Sequence, residues 1–141
     1  LGLGDAEDIH PQRKMEVGQR LARLARRIAY GQNLACTGPI LDSTKAGKSE
    51  MEVTFRSFQG SLRTSDGKEP GPFTLAGQNR KFYPAHGRID GKRIVLTSAE
   101  VPEPVFVRYA WSNRPENPNL IDESGLPARP FRTDPDPSPN P

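Results

Sequence analysis

The clearest pattern of apolar and polar positions lies in residues 11–30. Apolar residues recur there at spacings of four, three and four, at Val17, Leu21, Leu24 and Ile28. This spacing places them in one stripe along an α-helix. We expect Pro11 in the first helical turn, where its missing N–H costs no hydrogen bond, and Gly31 at the residue that ends the helix. The helix cannot bury its stripe alone, so it requires a partner surface.

Four arginines lie mainly off this stripe, at Arg20, Arg23, Arg26 and Arg27. We expect these side chains to face solvent or to interact with the negative end of the helix dipole.

After Gly31 the apolar period changes to two. Residues 51–57, MEVTFRS, alternate apolar and polar side chains as a half-buried strand does. Further candidate strands are 72–77, 81–89 and 105–111. The dipeptide Asp90-Gly91 predicts the tight turn of a β-hairpin. Five or six strands at this spacing predict a mainly β fold, an antiparallel β-sandwich or barrel-like module over about residues 38–112.

Composition and charge narrow the classes of function. Apolar residues make up 33% of the 141 residues, and the 15 prolines and 13 glycines favour short strands joined by turns. The net charge is +3 without a long run of one sign, which argues against nucleic-acid binding. No stretch is apolar over the length that a membrane span requires.

Prolines recur at nearly every second position in 135–141, which predicts an extended or disordered tail.

The strongest candidate for catalysis is His10, in the segment DAEDIHPQRK. A neutral imidazole can take the proton of a serine hydroxyl when a carboxylate fixes its tautomer through the other ring nitrogen. Asp8, Glu7 and Asp5 all lie close enough along the chain to be that carboxylate. The alternative is helix capping, in which Asp8 or a neighbour accepts backbone N–H groups and His10 is exposed.

Other chemical side chains have an ordinary structural explanation beside a functional one. His86 could be a second base or contact a sugar, but a strand histidine on a partly wet face is the simpler interpretation. Two histidines and Cys36 show no spacing suited to a metal site. Several aromatic residues could form a sugar-binding platform, namely Phe82, Tyr83, Phe106, Tyr109 and Trp111, with Arg108 between them. The alternation of residues 105–111 makes one face richly apolar, which instead favours packing between two sheets or against a domain missing from this chain.

Several blocks, in order along the chain, resemble sialate O-acetylesterase-like proteins of the SGNH hydrolase superfamily. The first is DIHPQRKMEVGQRLARLARRIAYG at 8–31, and the later ones are TGPI at 37–40, GSL at 60–62, FTLAGQNRKFYPAHGRIDG at 73–91 and PVFVRYAWSNRPENPNLIDESGLPARPFRTD at 104–134. The resemblance implies a metal-free and cofactor-free serine esterase that removes O-acetyl groups from sialic acid or related sugars. It also implies a secreted or periplasmic protein.

The same resemblance assigns roles and boundaries. His10 matches the catalytic histidine of the family, and Asp8 is the first choice for the acid because it lies in the matching Asp-Ile-His-Pro block. Residues 1–31 correspond to the last loop and helix of a flavodoxin-like α/β hydrolase domain, and 32–134 to an antiparallel β-sandwich that packs against it. We therefore expect the chain to be a fragment whose partner is a missing N-terminal catalytic region.

The nucleophile of the family is absent from this sequence. It belongs to a Gly-Gln-Ser-Asn block, whereas the two Gly-Gln pairs here, at 31–32 and 77–78, are each followed by asparagine. A histidine without its serine and oxyanion hole cannot carry out acyl transfer, so we expect the isolated chain to be inactive. The rival hypothesis is a non-catalytic β-sandwich that binds glycan or scaffolds a larger enzyme.

Overall fold

The computed structural model describes residue 3 and residues 12–136. They form one α-helix and nine β-strands. The helix α1 spans Lys14–Tyr30, and the strands are β1 Ile40–Ala46, β2 Met51–Arg56, β3 Leu62–Thr64, β4 Phe73–Ala76, β5 Tyr83–Asp90, β6 Arg93–Thr97, β7 Phe106–Tyr109, β8 Leu120–Asp122 and β9 Phe131–Arg132. The prediction of a mainly β fold is confirmed.

Helix α1 starts later than its sequence suggested. Its N-cap residue is Arg13, which makes no capping hydrogen bond through its side chain, and Pro11 lies outside the described residues. The predicted end is confirmed, because Gly31 adopts a left-handed φ of 62° and its N–H donates to the carbonyl of Arg26. Glycine takes this conformation without the steric cost of a β-carbon.

Seven strands form one antiparallel sheet in the order β1-β2-β6-β5-β4-β7-β9. Strand β5 joins its two halves, because residues 83–85 pair with β4 while residues 86–90 pair with β6. The halves turn towards each other, and the rings of Phe55 on β2 and Phe131 on β9 meet with centroids 5.9 Å apart. The sheet therefore encloses a core between two facing layers, as in a sandwich whose layers share a strand that turns from one to the other.

The apolar alternation places the predicted side chains in this core. Met51, Val53 and Phe55 of β2 are buried, whereas Glu52 and Thr54 between them are partly exposed. Leu75, Leu96 and other apolar residues of β4, β6 and β7 complete the same cluster.

The β5–β6 hairpin forms at the predicted place with its turn shifted by one residue. Asp90 belongs to β5 and pairs with Arg93, so Gly91 and Lys92 form the turn. Gly91 has a φ of 62°, which a residue with a side chain adopts only at a cost.

The segment after residue 112 contributes more to the fold than its irregular sequence suggested. Strand β8 pairs with β3 in a two-stranded sheet, and β9 pairs with β7 at the end of the large sheet. Leu120 and Phe131 belong to the core cluster.

At the other end of the large sheet, β1 is irregular and largely exposed. Its pairing with β2 shifts register between Leu41 and Ser43, which marks a β-bulge. Residues 42–46 of this strand are all exposed.

Candidate functional site

The predicted catalytic residues lie outside the part of the chain that the structure describes. His10, Asp8, Glu7 and Asp5 all fall within residues 4–11, so their geometry gives no test of the catalytic hypothesis or of the capping alternative. The described chain resumes at Gln12 and enters helix α1 two residues later.

Helix α1 turns the side that carries Arg20 and Arg27, and not the centre of its apolar stripe, towards connecting segments of the β-fold. The Nη1 atom of Arg27 donates to the carbonyl oxygen of Leu34 at 2.9 Å, and its guanidinium lies 5.2 Å from the centroid of the Phe58 ring. Arg20 and Arg23 line a shallow concavity of about 180 Å³ against residues 124–126. Arg23, Arg26 and Arg27 are exposed, as expected, whereas Arg20 is only partly exposed.

The apolar stripe of α1 is open in this chain. Leu21 is 61% exposed and Ile28 is 75% exposed, and no residue of the helix is buried. At about 100° per residue, the centre of the stripe lies roughly a quarter turn from Arg20 and Arg27. An uncovered apolar stripe of this length is typical of a surface that contacts another protein region.

The structure supports the simpler interpretation of His86. Its side chain is 81% exposed on β5, and its Nδ1 atom lies 3.1 Å from Oε1 of Glu69. The same carboxylate oxygen accepts the N–H of Gly87 at 2.7 Å. Glu69 thus connects the loop before β4 to the outer face of β5, so the contact between His86 and Glu69 has a structural role.

Trp111 is the aromatic residue whose position differs most from the sequence interpretation. The alternation of residues 105–111 predicted packing between two sheets or against a missing domain. Tyr109 is fully buried between the layers, whereas Trp111 is 48% exposed in this chain, so packing between the sheets is wrong for Trp111. The reason is Ala110, whose φ of 47° interrupts the strand alternation directly after Tyr109. Alanine carries no sequence signal for a left-handed residue, so the pattern could not reveal this change of direction.

The other aromatic residues of the predicted platform divide between core and surface. Tyr109 packs on Phe73 with centroids 4.8 Å apart, and its hydroxyl accepts the N–H of Leu120 at 3.2 Å. Burial raises the pKa of Tyr109 to about 12. Phe82 is half-buried under Arg108, whose guanidinium carbon lies 3.8 Å from the ring centroid. These rings support the sheet and leave Trp111 as the exposed member.

An ion-pair network fixes the surface beside Trp111. Arg108 donates to both oxygens of Asp134, from Nε at 2.9 Å and from Nη2 at 2.6 Å. Arg132 lies 3.1 Å from the same carboxylate, and its Nη1 donates to Asp136 at 2.7 Å. The hydrogen bonds from Arg108 hold the pKa of Asp134 below its ordinary value, and in return raise the pKa of Arg108.

Two shallow concavities adjoin the indole of Trp111. One, of about 220 Å³, is lined by the side chains of Arg108, Arg114 and Glu116, among others. The second, of about 410 Å³, includes Asn113 and Pro130. Sequence reasoning did not single out residues 112–116, which lie in an irregular segment without a period.

A separate concavity of about 240 Å³ lies at the opposite end of β4 and is lined by Lys81, Tyr83, Glu100 and Glu103, among others. It has charges of both signs and contains neither a histidine nor a serine. Over residues 12–136, no group of three histidine, cysteine or carboxylate side chains is placed to hold a metal ion. No helix in the described part of the chain is both long enough and apolar enough to cross a membrane.

Comparisons with known proteins link the chain to the carbohydrate esterases. No protein-family model and no curated protein matches this sequence. Among solved structures, a carbohydrate acetylesterase from Xanthomonas citri is similar to it, with a TM-score of 0.89 and 39% sequence identity. The similarity covers 94% of this chain and 31% of that protein, so this chain spans about a third of the length of its structural relative.

Proposed function

We propose that this chain is the C-terminal part of a carbohydrate esterase of the SGNH hydrolase superfamily, which hydrolyses O-acetyl esters of sialic acid or related sugars. His10 is the general base in this proposal, and Asp8 is the acid that orients it. The nucleophilic serine and the oxyanion hole belong to the remainder of the parent protein, so the chain alone is inactive.

The observation that carries this proposal is the similarity over 94% of the chain to a carbohydrate acetylesterase, at 39% identity. Identity at that level, together with a shared fold, indicates common ancestry with that enzyme over nearly the whole chain. The exposed stripe of α1 agrees with the proposal, because Leu21 and Ile28 would pack against the catalytic region of the parent protein.

The proposed reaction is a two-step acyl transfer. His10 takes the proton of the serine as the serine oxygen attacks the acetyl carbonyl carbon, and the developing oxyanion is held by N–H donors of the parent protein. His10 then gives the proton to the departing sugar oxygen, which leaves an acetyl-serine. In the second step His10 takes a proton from water as the water oxygen attacks the acetyl-serine carbonyl carbon. His10 then returns this proton to the serine oxygen as the ester bond breaks, and acetic acid is released.

The test compares the two histidines of the chain in the full-length parent protein. Because a triad without its base retains only binding and oxyanion stabilisation, we expect His10→Ala to lower kcat for a simple acetyl ester by about 10³-fold or more. His86→Ala is the matched control, because His86 is the other histidine and also has a carboxylate neighbour at 3.1 Å. Full activity of His10→Ala would contradict the proposal.

The acid is assigned by replacing each candidate carboxylate with its amide. Asp8→Asn should lower kcat by about 10⁴-fold, because the amide favours the wrong histidine tautomer. Glu7→Gln and Asp5→Asn should retain most of the activity. A large loss for either of these and not for Asp8→Asn would reassign the acid and leave the role of His10 intact.

A further inference from the structure

The exposed surface around Trp111 has the features of a carbohydrate-binding site. We propose that Trp111, Arg114 and Glu116 bind the sugar backbone of a polysaccharide and that this site does not require an acetyl group on its ligand. The choice of a sugar as ligand rests on the proposed function, whereas the existence of a site rests on the geometry below.

The first argument is the backbone that turns Trp111 outwards. Ala110 is buried and adopts a φ of 47°, a conformation that costs an alanine about 1 kcal/mol or more. Its N–H donates to the carbonyl oxygen of Pro72 at 3.0 Å, which fixes the residue against the start of β4. In a regular strand Trp111 would lie on the same face as the buried Tyr109, and the strained residue turns the indole away from that face. Strain of this kind is commonly found at functional positions.

The second argument is that the exposed ring is held in place. The guanidinium of Arg132 lies 5.7 Å from the centroid of the Trp111 ring. Arg132 is itself fixed by ion pairs with Asp134 at 3.1 Å and Asp136 at 2.7 Å. A ring ordered before binding loses little conformational entropy when a ligand stacks on it.

The third argument is that, of the charged side chains around the ring, some are paired with each other and two remain available to a ligand. Arg108 and Arg132 are engaged by Asp134 and Asp136. Arg114 and Glu116, in contrast, are exposed and make no side-chain hydrogen bond or ion pair to any other described residue. They offer one set of donors and one set of acceptors beside an aromatic ring, which is the combination that sugar hydroxyls and a sugar C–H face require.

The shape favours an oligosaccharide over a single sugar or a protein surface. The concavities of about 220 Å³ and 410 Å³ both include Trp111, so a chain of sugars can cross the ring from one to the other. A protein partner requires a broad surface with a contiguous apolar centre, whereas Trp111 is the only large apolar side chain above 36% exposure among described residues 59–136.

The first experiment uses the fact that Trp111 is the single tryptophan of the chain. Fluorescence excited at a wavelength that tryptophan absorbs and the three tyrosines do not therefore reports on this site alone. The chain is titrated with O-acetylated xylan oligosaccharides, with the same oligosaccharides after deacetylation, and with an O-acetylated sialoside. We expect a saturable change in emission with at least one of the two glycan types, and Kd values for acetylated and deacetylated xylan oligosaccharides that agree within about threefold.

Calorimetry on variants then locates the ligand. Trp111→Ala should weaken binding about tenfold or more, because it removes the stacking surface, and Arg114→Ala and Glu116→Ala should each weaken it several-fold. Phe58→Ala is the matched control, since Phe58 is 44% exposed and also has an arginine over its ring, at 5.2 Å. The control should bind as tightly as the wild type.

Three results would overturn the inference. The first is the absence of any emission change at saturating glycan, and the second is glycan binding that Trp111→Ala leaves intact. The third is burial of the Trp111 indole by the rest of the full-length protein, which would make this surface an interface within that protein. Hydrolysis of a small acetyl ester by the wild-type full-length protein is measured in parallel. Hydrolysis without glycan binding refutes this site alone, and glycan binding without hydrolysis refutes the proposed function alone.

Discussion

At the scale of single residues, the carboxylate of Asp134 forms ion pairs with two arginines at the surface of the large sheet. Its side chain is only 4% exposed and contacts two arginines, Arg108 and Arg132. Removing a nearly buried partner leaves a cation without compensation, which costs more than the loss of an exposed ion pair.

We therefore expect Asp134→Asn to lower the free energy of unfolding at neutral pH by about 2 kcal/mol. Asp90, whose carboxylate forms an exposed ion pair with Arg93 at 2.6 Å, provides the control, and Asp90→Asn should lower this free energy by about 0–1 kcal/mol. The pKa of Asp134 is lower in the folded chain than in the unfolded chain, where it is about 4. The stabilisation is thus present above that pH and is lost as the pH falls through the folded value. Denaturant unfolding of both proteins from neutral pH downwards should show the difference between wild type and Asp134→Asn shrinking in acid. A constant difference would contradict this assignment.

At the scale of elements, the regular periods were predictable and the short or strained segments were not. The stripe of α1 and the alternation of β2 both follow from spacing, because each element is long enough to show its period. Strands β8 and β9 have three and two residues, which is too short for a period, and they form because β3 and β7 pair with them.

The direction of the Trp111 side chain depends on the φ of Ala110, and no residue type nearby signals this φ value. The catalytic candidates lie before Gln12, outside the described residues, so their part of the site stays a prediction from the sequence.

The open stripe of α1 gives a prediction about association. Replacing Leu21 and Ile28 together with glutamine should reduce self-association of this chain in light scattering, because it removes exposed apolar surface. The free energy of unfolding should change by less than about 0.5 kcal/mol, since neither side chain is buried here. In the full-length protein the same pair of changes should destabilise by about 2 kcal/mol or more, if the stripe packs on the catalytic region.

The matched control for this test is Met15→Gln. Met15 is 77% exposed but lies roughly 150° around the helix from the centre of the stripe. The substitution Met15→Gln should leave both the self-association of this chain and the stability of the full-length protein unchanged. Equal effects of Met15→Gln and of the Leu21/Ile28 double substitution would contradict a docking face on α1. They would show that any exposed apolar side chain of the helix influences self-association and full-length stability to the same degree.

At the scale of the whole molecule, closure of the sheet depends on a few aromatic contacts. Phe131 on the last strand meets Phe55 at 5.9 Å, Phe73 at 6.5 Å and Tyr109 at 6.0 Å between ring centroids. It therefore connects the two halves of the sheet across the core, although its own strand is only two residues long.

We expect Phe131→Ala to lower the free energy of unfolding by about 3–5 kcal/mol, because a cavity would open where the two layers meet. Phe58→Ala should cost less than about 0.5 kcal/mol, since Phe58 is 44% exposed. Thermal unfolding of the two variants gives the comparison. A loss below 1 kcal/mol for Phe131→Ala would mean that the sheet remains closed without this contact.

The bulge in β1 has a consequence for how copies of this chain can aggregate. A flat strand at the end of a sheet offers a row of unpaired backbone groups on which another chain can add a strand and begin a fibril. In β1 the register shift between Leu41 and Ser43 interrupts that row, and exposed Asp42 and Lys45 place charges along it. Strand addition at this end is thereby disfavoured. Aggregates of this chain should accordingly form through α1, remain amorphous and bind little of the dyes that recognise amyloid.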